Sequence, residues 1–233
     1  MTLRQHLDIE FYKLNRPDYF IFFTVLVISL VAFPIYGMIK LSPLFTLNEL
    51  FSIVNQVGTL AVVYGAIVAI TREFTNGTNR KRIVNGYSRT DLFISKLIIV
   101  FYYVSTVVVL TAFTLLVLVA FKGSEVFINS FPRQKLMAVL GAIICYGLIG
   151  ASLGAVTTKA HRAILIFWGI GFLEMILDIL SLTHPFAQFF RPLVSIGNFT
   201  SPEHLYTWHY IILGLFLAGL LGGSFLKFKR ADF

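Results

Sequence analysis

Residues 72–96 read REFTNGTNRKRIVNGYSRTDLFISK, and this stretch decides how the rest of the chain is arranged. Six of the chain's nineteen Lys and Arg residues fall in it, Arg72, Arg80, Lys81, Arg82, Arg89 and Lys96, against two acids, Glu73 and Asp91. Apolar runs long enough to cross a bilayer lie on both sides, and a basic loop between two such runs marks the cytoplasmic face of a membrane protein. The segment is longer than a turn needs, so part of it is expected to fold as a short helix along the membrane surface. Asn76-Gly77 and Asn85-Gly86 bracket the basic cluster with turn chemistry, which favours an ordered element over a loop that only sets topology.

Composition fixes the class. With 57% hydrophobic and 13% charged residues in 233, and a mean hydropathy of +0.82, the chain has too few charges to cover a water-soluble globule. It reads as a single all-α integral membrane domain over residues 1–233. The lone Cys145 excludes an intramolecular disulfide and a multi-cysteine metal site. The net charge of +8 follows from positive-inside bias and anionic headgroups, so membrane lipid rather than nucleic acid is the expected polyanionic partner.

Taken in order, Thr2 to Asn15 places Leu3, Leu7, Phe11 and Leu14 at helical spacing, the pattern of an amphipathic helix lying in the interface. Six spans of about 20 residues, the length that crosses a hydrocarbon core of roughly 30 Å, are expected. They run from about Tyr19 to Met38, Leu50 to Thr71, Leu92 to Phe121, Lys135 to Val156, Ala163 to Leu182 and Trp208 to Leu226. Ser88 with Asp91 three residues on has the form of a helix cap at the start of the third. Fourteen Lys and Arg residues then fall on one side and five on the other, which places both termini in the cytoplasm of a cell-membrane protein. Between the fifth and sixth spans, Ser181 to Thr207 carries Pro185, Pro192 and Pro202 among several aromatics, and reads as short helices in the outer leaflet.

Here the chain resembles a known family. A surface helix at the N-terminus, six spans, a basic loop after the second containing Glu73-Phe74 and then Gly77-Thr78, and Asn85-Gly86-Tyr87-Ser88-Arg89 leading to Lys96, together are similar to the ABC-2 type permeases of ABC transporters. The likeness covers the whole chain in topology, and its specific wording lies within residues 73–96. It implies an exporter in which two permease subunits pair, identical or related, with a separate ATPase subunit beneath each. It makes residues 72–96 a cytoplasmic coupling helix and the N-terminal helix a connecting helix, and it makes the elements after the fifth span extracellular helices. The chain has no G-x-x-x-x-G-K-[ST] phosphate loop, so ATP and Mg would be held by the partner, with no cofactor and no ATPase site of its own.

The same residues carry a direct physical reading. Glu73 at the end of the second span can accept an ion pair, Gly77 permits close backbone approach, and Arg80, Lys81 and Arg82 can meet acidic groups of an ATPase or lipid headgroups. With Phe74 and Thr78 these are the expected coupling residues. Glu174 and Asp178 lie four apart on one face of the fifth span, with Glu174 near mid-bilayer, where charge is costly and usually faces a protein interior or a hydrated cavity. They read either as part of a translocation pathway, with Asn55, Gln56 and Thr59 of the second span, or as a structural pair. Gly147, Gly150 and Gly154, and Gly214, Gly219 and Gly223, are expected to let helices approach closely.

Two other classes fit some residues. Gly150-Ala151-Ser152-Leu153-Gly154 spells G-x-S-x-G, the wording of a serine hydrolase nucleophile, but it lies within a helical run. The five histidines show no metal-site spacing. A membrane scaffold that transports nothing is the other alternative.

Overall fold

The computed structural model describes residues 12, 24–41, 47–75, 78–86, 88–122, 133–181 and 207–230. The expected interfacial helix from Thr2 to Asn15, Tyr12 apart, and the expected outer helices within 182–206 lie outside the described residues.

The described residues are all helical or in short turns. A π-helical turn, Ile28–Ala32, leads into α1 (Phe33–Leu41). It is followed by α2 (Leu47–Thr75), α3 (Thr78–Val84), α4 (Arg89–Lys122), α5 (Arg133–Thr157), α6 (Ala160–Ser181) and α7 (Thr207–Arg230). The π turn has a local cause. Pro34 has no N–H for the carbonyl of Leu30 and its ring would press on that carbonyl; the backbone widens just before it, and the Phe33 N–H bonds Ile28 O, five residues back. Ser29 adds its hydroxyl to Val25 O at 2.7 Å.

Six membrane-crossing helices are not what the structure shows. Among the described residues three helices are long and apolar enough to cross a bilayer, Ser52–Arg72, Arg89–Leu118 and Val139–Thr157, while Thr24–Gly37 and Ala160–Leu173 are shorter apolar helices. The physical difference is where charge falls. In α6 the acids Glu174 and Asp178 follow Leu173, so the uncharged run that begins at Ala163 does not continue through the second half of the helix. In α7 the uncharged run ends at Leu226, ahead of Lys227, Lys229 and Arg230.

The three long helices form the centre. α2 packs most extensively against α5, then against α4, and α5 also meets α4, α6 and α7. The α2–α5 seam is made by glycine, as the sequence leads one to expect of α5. A Cβ on Gly150 would stand 2.8 Å from Val63 O and 3.0 Å from Val63 Cα; one on Gly154 would be 3.3 Å from Ile67 O. The two backbones therefore touch, an arrangement that small residues permit and membrane helices use. Around Gly214, Gly219 and Gly223 of α7, by contrast, nothing lies within 4 Å, so close approach is not their role among the described residues.

Polarity in α4 is turned inside out relative to a soluble helix. Phe101, Val109, Phe113 and Leu116 are exposed, while Ser95, Thr111 and Thr114 are fully buried. Ser95 and Thr114 give their hydroxyls to the backbone, to Leu92 O at 2.8 Å and Leu110 O at 2.9 Å. An apolar outer face of this extent is a liability in water and the ordinary surface of a helix in lipid. The chain is an all-α protein whose long apolar helices fit a multi-pass membrane protein. At 1.5 Å per residue, the 34 residues of α4 extend about 51 Å, well beyond a ~30 Å hydrocarbon core, so one end stands clear of it.

Candidate functional site

The basic segment folds as an ordered connector between two long helices. α2 runs to Thr75, α3 occupies Thr78–Val84, and α4 begins at Arg89. Asn85 N–H bonds Lys81 O at 3.1 Å and Gly86 N–H bonds Ile83 O at 2.9 Å. Gly86 has φ +84°, the left-handed conformation that glycine supplies without strain at a helix C-terminus. Ser88 then caps α4: its Oγ accepts the Asp91 N–H at 3.0 Å, as the Ser88 and Asp91 spacing leads one to expect, and its carbonyl accepts the Leu92 N–H at 3.1 Å.

Within α3 the adjacent cations Lys81 and Arg82 do not share a face. Lys81 is exposed, whereas Arg82 is 7% exposed and has an interacting group. Ile83 is partly buried against the main core, and Val84 stands out at 79% exposure. Lys96, one turn into α4 from Phe93, is 2% exposed and likewise has an interacting group. A cation is held at such burial only when paired or hydrogen-bonded, so Arg82 and Lys96 serve to seat the segment in the bundle, and Lys81 is the cation of the described α3 side chains that is open to a partner.

Phe74 has a defined role. Its ring meets Phe228 of α7 edge-on, centroids 5.4 Å apart at 79°. Phe93 of α4 meets both Phe228 and Phe225, each at 5.3 Å. Arg89 Nη1 donates to the carbonyl of Lys229 in the last turn of α7. Of this cluster, the sequence reading singles out only Phe74 as functional; Phe93, Phe225, Phe228 and the role of Arg89 are found only in the fold. The one local signal is the three-residue spacing of Phe225 and Phe228, which puts them on one face of a helix.

The remaining coupling residues are placed by backbone alone. Glu73 lies in the last turn of α2, Thr78 and Arg80 in α3, and Gly77 lies outside the described residues.

The pathway candidates lie on two helices. In α2, Thr59 directs its hydroxyl to Asn55 O at 2.9 Å and Gln56 O at 3.0 Å, Gln56 is exposed, and Asn55 Oδ1 is buried with no hydrogen-bond partner. Thr111 Oγ1 is also buried without a partner and would stand 3.2 Å from a Cβ on Gly58, on the face of α2 that carries Asn55. Glu174 and Asp178 lie in the second half of α6; their helical backbone is described and their side chains are not. Among its described side chains, the buried and packed ones lie near its start. Ala163, fully buried, and Ile164 and Phe167 pack with Val63 and Ile67 of α2, and Trp168 Nε1 donates to Tyr64 Oη at 2.8 Å. Beyond Gly169, Phe172, Leu173, Met175, Ile176, Ile179 and Leu180 are all exposed.

Ser152 of the G-x-S-x-G run sits in mid-helix at 1% exposure, its Oγ without a hydrogen-bond partner. His161 is exposed at the start of α6, and His184 and His204 lie outside the described residues. Among the described residues no three of His, Cys, Asp and Glu are grouped as a metal would require.

Comparison with protein-family models, with curated proteins and with solved structures returned no match.

Proposed function

We propose that the chain is a permease subunit of an ATP-driven exporter of the ABC-2 type, paired with a second permease subunit and worked by a separate cytoplasmic ATPase. The observation that carries this reading is the connector itself. A helix of seven residues is joined at one end to α2 and at the other to α4, its Arg82 turned inward and Lys81 and Val84 turned outward. Pressure on such a rigid piece moves two membrane helices together without disturbing their apolar packing. An exposed apolar residue beside a cation is also the composition of a protein contact. The end of the bundle that holds α3, the turn between α5 and α6 with Lys159 and Arg162, and the end of α7 with Lys227, Lys229 and Arg230 faces the cytoplasm on this reading.

The test is biochemical. The tagged chain, solubilised from its native membrane, is expected to bring down an ATPase and to change its rate of ATP hydrolysis on reconstitution. Glu73→Ala and Gly77→Val are expected to leave the complex assembled and to abolish that change. Recovery of the chain without any ATPase, or a complex whose hydrolysis is the same with and without the chain, overturns the reading.

A further inference from the structure

The last helix ends against the basic segment through contacts that are specific in kind. Phe228 is 1% exposed and packs on both Phe74, at the end of α2, and Phe93, in the second turn of α4. Edge and tilted ring pairs at 5–6 Å are the favoured geometry for aromatic contacts. Phe225, one turn earlier in α7, meets the same Phe93. The polar contact has an equally clear logic. The last four carbonyls of a helix have no N–H of their own helix to accept, and Lys229 O is one of these; Arg89, the first residue of α4, supplies the donor. A guanidinium there also lies at the negative end of the helix dipole.

Three helices therefore meet at one point, α2 through Phe74, α4 through Phe93 and Arg89, and α7 through Phe225 and Phe228, with α3 joined covalently between the first two. A close-packed interior passes a displacement on rather than absorbing it. Resting on the exporter reading above, we infer that the C-terminal turn of α7 belongs to the coupling element: Phe228 is a positioning residue that makes α7 follow α2, α3 and α4 when a cytoplasmic partner displaces α3. Movement of the connector is then delivered to a third helix remote from it in sequence, and the exposed cations Lys227, Lys229 and Arg230 travel with it.

The experiment uses the purified complex with its ATPase, in a Cys145→Ala background, with spin labels placed pairwise at three exposed positions: Val84 in α3, Lys227 in α7, and Lys159 in the turn between α5 and α6. A non-hydrolysable ATP analogue is the probe. The Val84–Lys227 distance is expected to stay narrow and constant, while Val84–Lys159 and Lys227–Lys159 shift together on adding the analogue. In Phe228→Ala the Val84–Lys227 distribution broadens and the Lys227–Lys159 distance stops responding, although Val84–Lys159 still shifts. Phe228→Met, which refills the space between the two rings, restores the response. If Phe228→Ala does not fold, Arg89→Gln takes its place and is expected to broaden the same distribution. A wild-type complex in which Val84 shifts against Lys159 but Lys227 does not refutes the linkage and leaves the exporter reading intact. A complex in which no pair responds to nucleotide refutes the coupling role of α3, and the linkage with it.

Discussion

Gly150→Ala puts one methyl group where two backbones meet. The new Cβ would lie 2.8 Å from Val63 O, 3.0 Å from Val63 Cα and 3.1 Å from Ala66 Cβ. Ordinary carbon contacts lie at about 3.5–4.0 Å, so the α2–α5 seam has to open by about 0.5 Å or more. The obstacles are main chain and a Cβ, not the far end of a flexible side chain, so no rotamer change relieves them. Overpacking of this kind costs about 1–3 kcal/mol, and alanine returns up to about 1 kcal/mol over glycine in helix propensity. The expected net loss is therefore roughly 0–2 kcal/mol, read as an unfolding midpoint in mixed micelles below that of a glycine-to-alanine change at an open site. Gly219→Ala in α7 is the internal control. Nothing lies within 4 Å of its Cβ position, so only the propensity gain remains and the midpoint holds or rises. If Gly150→Ala is as stable as Gly219→Ala, the α2–α5 seam is not the close contact described, and the argument that glycine sets the helix spacing fails.

Three further outcomes are expected. Tyr64→Phe removes the acceptor of the Trp168 indole N–H; a hydrogen bond of this kind contributes about 0.5–1.5 kcal/mol, and the tryptophan emission should shift with the loss, so unchanged stability and emission would mean the bond is not formed. Thr158→Gly should stabilise the turn between α5 and α6 by roughly 1 kcal/mol, because Thr158 holds φ +58°, a conformation disfavoured for a β-branched residue; a lower unfolding midpoint refutes the strain. Glu174→Gln with Asp178→Asn keeps the size of both side chains and removes charge, and should lower transport in the assembled complex without lowering its unfolding midpoint; full transport by the double variant would assign the two acids to structure.

How far the letters foretell the site depends on the range of the interaction. The Ser88 cap is local, a hydroxyl meeting an N–H three residues on, and its spacing is visible in the sequence. The glycines of α5 are visible as small residues at spacings of three and four. Those of α7 look much the same as letters, yet have nothing near them, because contact depends on a neighbouring helix that the spacing does not name. Arg80, Lys81 and Arg82 are similar cations in a row, and only the phase of α3 turns Arg82 inward and Lys81 outward. The aromatic junction is the least legible. Phe74, Phe93 and Phe228 belong to three helices, and no period in a chain with 24 phenylalanines singles out these three. The count of six spans errs for a related reason: it measures the distance between polar loops, whereas crossing a bilayer demands an uninterrupted apolar run, and among the described residues three helices present one; in α6 Glu174 and Asp178 break it.

These contacts make α2 the helix on which the others depend. Along its length it offers Gly58 to Leu30, Thr111 and Ile143, Val63 and Ile67 to the glycines of α5, Tyr64 to Trp168 of α6, and Phe74 to Phe228 of α7. Backbone contact with α5 fixes its middle stiffly, since neither partner has a side chain there that can yield. Its end at Phe74 is held differently, by rings that can slide and tilt at small cost compared with separating two main chains. A force entering at α3 therefore meets a helix that is firm at Gly150 and Gly154 and more compliant beyond Thr71. The motion that such a helix permits is a swing of its Phe74 end about the α5 seam, carrying α4 through the connector and α7 through the aromatic junction.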